Sequence, residues 1–539
     1  MVELSVSTKK LISTYESWQT SLKPKENAPM IHVDEVASRV AAFYEKIHTV
    51  VDWKEEHLMR RSAIIRKLKR RFRDLELDSF SAKNLAEGLV LDLIRGGYFP
   101  NDKIEESKII NVQKIIDKYI FILKNNLKEV KGAQGKIFYN SLLEIASCEI
   151  EEELSPSTKE MALVAYMFSK MKEGIKVNEN VYKRNILKPE DKDTQIYIAV
   201  QQALFKLDDP IISYNIIQYN YPQWNNPTQE ELSYLSKNIY LILRHIANNI
   251  ANPIGKKFYA VCEKYDTAYL LVGDILFSDN FEKISQQMAE PSSLEGYIKT
   301  AYTKRLLDLK AKIRRAAIYS TVSIFLTKFL SLLILEYLIA VIFGNKVNYM
   351  LLSVDILVPT LLMAFLVITI KPPSKKNMNL VIVEIMKIFY QKEKTDTYEI
   401  KISKRKSVLT RLVLSLTYLM GACVSFGFIF LVFYYFAFPL YSIIINIIFI
   451  ALILFASTAI QRKSKELTIE DESGGFLMFF TDILFLPITG AGQWMSNTWK
   501  EYNAITAFLN ALIDMPFSMF VEFLERWRGF IKERKEDLR

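Results

Sequence analysis

The sequence predicts an all-α membrane protein in three parts. A large cytoplasmic helical domain covers residues 1–315, a transmembrane region of four spans covers 316–466, and an interfacial, amphipathic helical segment covers 467–539. Three observations carry this prediction. Residues 412–460 contain no Asp, Glu, Lys or Arg, a stretch of about 73 Å as continuous helix against a hydrocarbon core of about 30 Å. Every other long apolar run also lies after residue 317. Basic residues, finally, collect on alternate sides of the apolar runs, the pattern left by oriented insertion.

A chain of 539 residues implies about two or three domains. Its net charge of +10 divides evenly: residues 316–539 hold 23 basic and 18 acidic side chains, and residues 1–315 hold 47 and 42. The basicity is therefore not a nucleic-acid tail, and nucleic acid is not an expected partner. Cys148, Cys262 and Cys423 lie far apart, with neither disulfide nor metal-ligand spacing, which suits a reducing compartment. The first 25 residues are polar and lack the apolar core of a signal peptide, so the later helices are expected to direct insertion.

Along residues 1–315 the apolar spacing is helical nearly throughout. Asp34 opens a helical stretch that runs to about Leu75. Ser157-x-x-Glu160 and Thr228-x-x-Glu231 have the form of capping boxes, in which side chain and backbone at a helix start satisfy each other. Gly96-Gly97 and Asp208-Asp209-Pro210 mark helix ends. No repeat period identifies a solenoid.

One stretch of this domain is strongly basic. Arg60, Arg61, Arg66, Lys67, Lys69, Arg70, Arg71 and Arg73 overlie an apolar stripe of Ile64, Ile65, Leu68, Phe72 and Leu75. Contact with anionic inner-leaflet lipid is the functional expectation, at about 1 kcal/mol per well-placed charge. RNA or another polyanion is a second reading. A solvated helix face packed on the domain is the third.

Four spans are expected, at about 318–343, 347–370, 412–434 and 440–460. The first holds Lys328 and Glu336, and the second holds Asp355 and Pro359. Gly344-Asn345-Lys346 links them, and the charges leave a shallow or re-entrant hairpin as an alternative to full crossing. Phe438-Pro439 breaks the third span from the fourth, flanked by Tyr434, Tyr435 and Tyr441 at headgroup level. Lys304, Arg305, Lys310, Lys312, Arg314 and Arg315 precede the first span, and eleven basic residues separate the second from the third. Arg462, Lys463 and Lys465 follow the fourth, while the two opposite turns carry only Lys346. Both termini are therefore predicted to be cytoplasmic.

Gly474-Gly475 leads into an apolar run over 476–492, interrupted by Asp482, Pro487, Gly490 and Gly492. As a fifth span it would put Lys532, Arg534, Lys535 and Arg539 outside, so a re-entrant or interface-lying segment is expected. Beyond Phe517, the residues Phe520, Val521, Leu524, Trp527 and Ile531 share one helical face. That face suits the cytoplasmic bilayer surface or packing on the soluble domain.

Lys328, Glu336 and Asp355 form the candidate intramembrane site. Counted from the outer ends of their spans, Glu336 and Asp355 lie at nearly equal depth, about 10–12 Å in, with Lys328 about 12 Å deeper. Two carboxylates at one depth suit a cation or a shared proton. In the plainer reading Lys328 snorkels inward, and the acids hydrogen-bond across the hairpin or to neighbouring Ser and Tyr. Gly421, Cys423, Ser425 and Gly427 give small residues four apart, as close helix packing needs.

Enzyme and metal patterns are weaker. Glu45-x-x-His48 has the spacing of a di-iron ligand pair but no second copy. His32, His57 and His245 are isolated, so all four histidines are assigned structural or surface roles. Gly490-x-Gly492 lacks the rest of a nucleotide loop. Walker-lysine, nucleophile-elbow and zinc-protease patterns do not occur. No cofactor is expected.

The stretch from Phe325-Leu326-Thr327-Lys328 through Pro372-Pro373-Ser374-Lys375-Lys376-Asn377 resembles bacterial multi-pass membrane proteins with a helical N-terminal domain. The resemblance implies a bacterial inner-membrane setting and no activity. Three functions remain open. The first is a non-enzymatic membrane-anchored scaffold or interaction protein, with the bilayer and a protein partner or second copy as its contacts. The second is a small-solute or ion transporter or channel subunit that uses the intramembrane charges, and the third is an enzyme of unrecognised type. The first is favoured, because over half the chain is soluble helical domain and four helices are few for a solute path.

Overall fold

The computed structural model describes residues 3–21, 29–33, 56–74, 85–126, 132–277, 284, 287–336, 342, 349–390, 397–401, 407–469 and 476–501. The chain divides into two compact units. A helical unit takes Val6–Glu263 and Asp396–Ile400, and a span unit takes Met1–Ser5, Lys264–Thr395 and Lys401–Asn503.

Ten helices build the helical unit among the described residues: α1 (Val6–Ser21), α2 (Glu56–Asp74), α3 (Leu85–Arg95), α4 (Ser107–Asn126), α5 (Gly132–Leu154), α6 (Thr158–Gly174), α7 (Glu179–Lys183), α8 (Lys192–Phe205), α9 (Asp209–Asn220) and α10 (Gln229–Ile250). Local chemistry sets their ends. The Thr228 hydroxyl accepts the Glu231 N–H, and the Glu231 carboxylate accepts the Thr228 N–H, so the predicted capping box opens α10. Gly97, at φ 74°, closes α3 by donating its N–H to the Ile94 carbonyl. Ser157 opens α6 differently from the expectation. Its N–H and hydroxyl both donate to Glu152, near the end of α5, rather than pairing with Glu160. A carboxylate five residues back reaches the helix start first.

Burial of Leu89, Leu93, Ile116, Val164, Val200 and Ile239 makes the core of this unit, at about 1.5–3 kcal/mol for each large apolar side chain. A polar hub is set into it. Glu149 accepts from the Tyr119 hydroxyl at 2.9 Å and the Trp224 indole N–H at 3.0 Å, and it pairs with Lys118. Burial pushes Lys118 below the usual lysine range, against the attraction of Glu149.

A two-stranded parallel sheet was not foreseen. β1 (Ile175–Val177) pairs with β2 (Tyr398–Ile400) in the register Ile175↔Tyr398, Lys176↔Glu399 and Val177↔Ile400. Strands of three residues are too short to produce a readable alternation.

The span unit begins within α11 (Gly255–Leu276) and continues with α12 (Pro291–Ser331), α13 (Tyr349–Ile368), α14 (Lys375–Phe389), α15 (Val408–Tyr435), α16 (Leu440–Ser464) and α17 (Phe476–Glu501). Four of these, α12, α13, α15 and α16, are long and apolar enough to cross a membrane. α12 runs unbroken for 41 residues, about 61 Å, through position 315 and into the first apolar stretch. It then loosens into a π turn over Leu332–Glu336. Pro439 caps α16 after Ala437 turns the chain at φ 58°, so the break falls where Phe438-Pro439 predicts it. Leu412, Val413, Leu416, Leu419 and Met420 on α15 all point outward. A continuous apolar surface of that kind belongs in lipid.

Two apolar clusters hold the spans together. Met363, Val367, Ile453 and Ile460 form one, and Phe433, Ile443, Ala451, Leu454 and Ile488 form most of the other. α17 enters the second cluster through Ile488 and sits against the middle of α15 and α16. A Cβ on Gly421 would lie 2.9 Å from the Ile483 carbonyl oxygen, and the Ser425 hydroxyl donates to the Leu484 carbonyl at 2.7 Å. Pro487 has no N–H to give Ile483, and Gly421 lets α15 approach that carbonyl closely. A Cβ on Gly492 would run into the Ala451 carbonyl oxygen. Residues 483–492 therefore pack directly against α15 and α16. Of the predicted small residues, Gly421 and Ser425 serve this packing. Cys423 is exposed, and Gly427 has nothing within 4 Å of its Cβ position.

Candidate functional site

Three helices converge on Lys328. The residue lies near the end of α12, is 0 % exposed, and places its Nζ 2.7 Å from Asp355 Oδ2 of α13, itself 1 % exposed. From α16, the Asn446 amide donates to Asp355 Oδ1 and to the Ser442 carbonyl, the latter at 3.0 Å. The Ser442 hydroxyl stands 3.5 Å from the same carboxylate oxygen. Phe449 completes the enclosure, its ring centroid 5.1 Å from the ammonium. Residues 442, 446 and 449 fall at i, i+4 and i+7, one face of α16.

This geometry corrects the plainer expectation for Lys328, which does not snorkel to the interface. Depth counted from the ends of the apolar runs separates Lys328 from Asp355. The structure instead brings the two side chains together between α12 and α13. The Glu336 side chain is outside the described residues. Sequence reasoning also missed Ser442 and Asn446. Their signal was present: Asn446 is the one asparagine in the charge-free stretch 412–460, and a lone amide there needs a polar partner.

The arrangement is a closed one. An ammonium, a carboxylate, an amide N–H and a hydroxyl meet between three helices, where hydrocarbon offers no alternative partner, and among the described residues Asn446 Oδ1 is left without a hydrogen-bond partner. Such a pair adds little net stability, yet it costs about 3–5 kcal/mol to break from one side.

The basic helix α2 turns several of its charges inward. Arg61 is buried, with Nη1 2.8 Å from Asp208 Oδ1 and 3.5 Å from Cys148 Sγ, and Nε 3.4 Å from Glu151 Oε2. Burial lifts the Glu151 carboxyl to about 8 despite Arg61, and pushes the Cys148 thiol up to about 12. Glu151 is therefore a neutral acid at pH 7, and Asp208 is the carboxylate nearer to Arg61. Arg60 donates to the Tyr98 carbonyl at 3.0 Å, and Arg66 donates to the Tyr98 hydroxyl at 2.9 Å. Ile64 and Leu68 of the expected stripe are buried. Lys67 and Lys69 are half-buried and Arg70 is exposed, while the side chains of Arg71, Phe72 and Arg73, and Leu75, lie outside the described residues.

His32 stands 2.9 Å from Asp102, and His245 stands 3.2 Å from Asp191. Glu45, His48 and the His57 side chain lie outside the described residues. Among the described residues, no three His, Cys, Asp or Glu gather as metal ligands would. A scan against protein-family models, a search of curated proteins and a search of solved structures each return no match to this chain.

Proposed function

We propose that the protein is a non-enzymatic, membrane-anchored scaffold that displays its helical unit on the cytoplasmic face of a bacterial inner membrane. The pairing of β2 with β1 carries this reading. The segment between the second and third apolar helices is built into the sheet of the helical unit, and strand pairing does not cross a bilayer. Helical unit and segment would then share one side, and the eleven basic residues over 371–411 support a cytoplasmic side. Closure of Lys328 on Asp355 supports the same reading, since these charges then serve helix association. The contacts implied are the bilayer, anionic headgroups at the basic residues of α2 beyond Arg60, Arg61 and Arg66, and a protein partner or second copy on the helical unit.

Removing both charges together tests it, because neutralising Asp355 alone would strand Lys328. In proteoliposomes, wild type and Lys328→Met/Asp355→Leu should both show no flux of protons, Na⁺ or K⁺ above empty vesicles. A wild-type flux that the folded double variant loses would assign the chain to transport instead.

A further inference from the structure

The Lys328 site is short of hydrogen-bond donors. The Asn446 amide uses both of its N–H groups, one on Asp355 Oδ1 and one on the Ser442 carbonyl at 3.0 Å. A carboxylate paired with an ammonium only accepts, so the amide presents its nitrogen to Asp355 and its oxygen faces away. That oxygen, Asn446 Oδ1, has no hydrogen-bond partner among the described residues, in a side chain that is 0 % exposed. A second acceptor follows from the sequence of α13. Pro359 stands inside the helix, four residues after Asp355, and has no N–H for the Asp355 main-chain carbonyl. Asp355 is buried along with its main chain, so water outside the bundle does not reach that carbonyl. The two acceptors thus belong to residues already in contact. Ser331 Oγ, one turn beyond Lys328 and just before the π turn of α12, is a third buried oxygen without a partner among the described residues.

Hydrocarbon supplies no donor, and an acceptor left unmet there is costly. The ligand that answers the deficit is small, donates at least twice and carries no charge. One ammonium and one carboxylate already balance each other here, so a cation would leave net positive charge between the helices. Water has the required chemistry, and buried water is held by such otherwise unmet polar groups. We propose that the site binds a water molecule that donates one hydrogen to Asn446 Oδ1 and the other to the main-chain carbonyl of Asp355. It ties α16 to α13 a second time, beside the direct bond from the Asn446 amide to the Asp355 carboxylate. The inference deepens the reading of this site as a device for helix association. Bound water is observed without flux or a protein partner, so the two fail separately.

A crystal structure of the full-length protein grown from a lipid mesophase, at a resolution that shows ordered water, tests it. Wild type should show one density about 2.7–3.0 Å from both oxygens. Asn446→Leu should lose that density. This change also takes a donor from Asp355, so Pro359→Ala serves as a second, milder variant. It restores an N–H to the Asp355 carbonyl and removes a helix breaker. The density should be lost there too, with a melting temperature unchanged or higher, because water held by one remaining contact is not fixed. An empty space between the two oxygens in wild type overturns the proposal, as does a density kept unchanged in Pro359→Ala. A sphere closer than about 2.6 Å to three or more oxygens is a metal ion and overturns the assignment to water.

Discussion

Lys328 and Asp355 are each buried in a place where neither is stable alone. Asp355→Asn, or Lys328→Met, leaves the other charge without its partner in hydrocarbon and should cost about 3–5 kcal/mol. The pair Lys328→Met/Asp355→Leu should cost clearly less than the sum of the two. Detergent-solubilised melts arranged as a double-mutant cycle measure this, and additive losses would mean that the two do not meet. Glu151 offers a second residue-scale test. Its carboxyl rises from 4.5 to about 8 on folding, so the folded protein binds that proton more tightly than the unfolded chain does. Its contribution is complete below about pH 4.5 and is lost as the pH climbs through about 8. Wild type should therefore lose stability between about pH 5 and pH 8.5 relative to Glu151→Gln, which keeps a neutral group throughout. Parallel curves for the two proteins across that window would remove Glu151 as the cause.

At the scale of elements, α17 comes close to α16 at Gly492. Gly492→Val places a branched side chain against the Ala451 carbonyl and Phe455, and overpacking of this kind costs about 1–3 kcal/mol. A cysteine pair across α16 and α17 should cross-link readily in the parent protein and poorly in the variant. Equal cross-linking would show that the helices are not seated there. Much of this level is legible in the sequence, because its causes are local. Phe438-Pro439 has to break a helix, Thr228 has to open one, and Gly97 is free to close one. The Ser157 start was misread because Glu152, five residues earlier, competes with Glu160 for the same donors. The Lys328 contact depends on which faces of α12 and α13 meet, and depth along a single run does not give that. Asn446 sits in plain view in the sequence, but its partner depends on which face of α16 meets α13.

At the scale of the molecule, four apolar spans and a preceding helical region are readable from composition alone. The tie between β1 and β2 is not, since nothing in either three-residue segment names the other. A direct check is the pair Lys176→Cys/Glu399→Cys, at facing positions in the register. Oxidation in native membranes should join them, and should do so without reaching a cysteine placed at Ala437 on the opposite turn. Failure to join, or labelling of positions 399 and 437 from the same side, would overturn the shared-side topology.

That strand pair also dictates an order of synthesis. The chain makes Tyr398 223 residues after Ile175. At about 5–20 residues per second, the ribosome takes about 10–45 s to cover that distance. From Ile250 onward the described helices of the helical unit have all been made, but its sheet is short of one strand. Two apolar helices must leave the ribosome before the missing strand arrives. Final closure of the helical unit thus comes only after the first two apolar helices have been made.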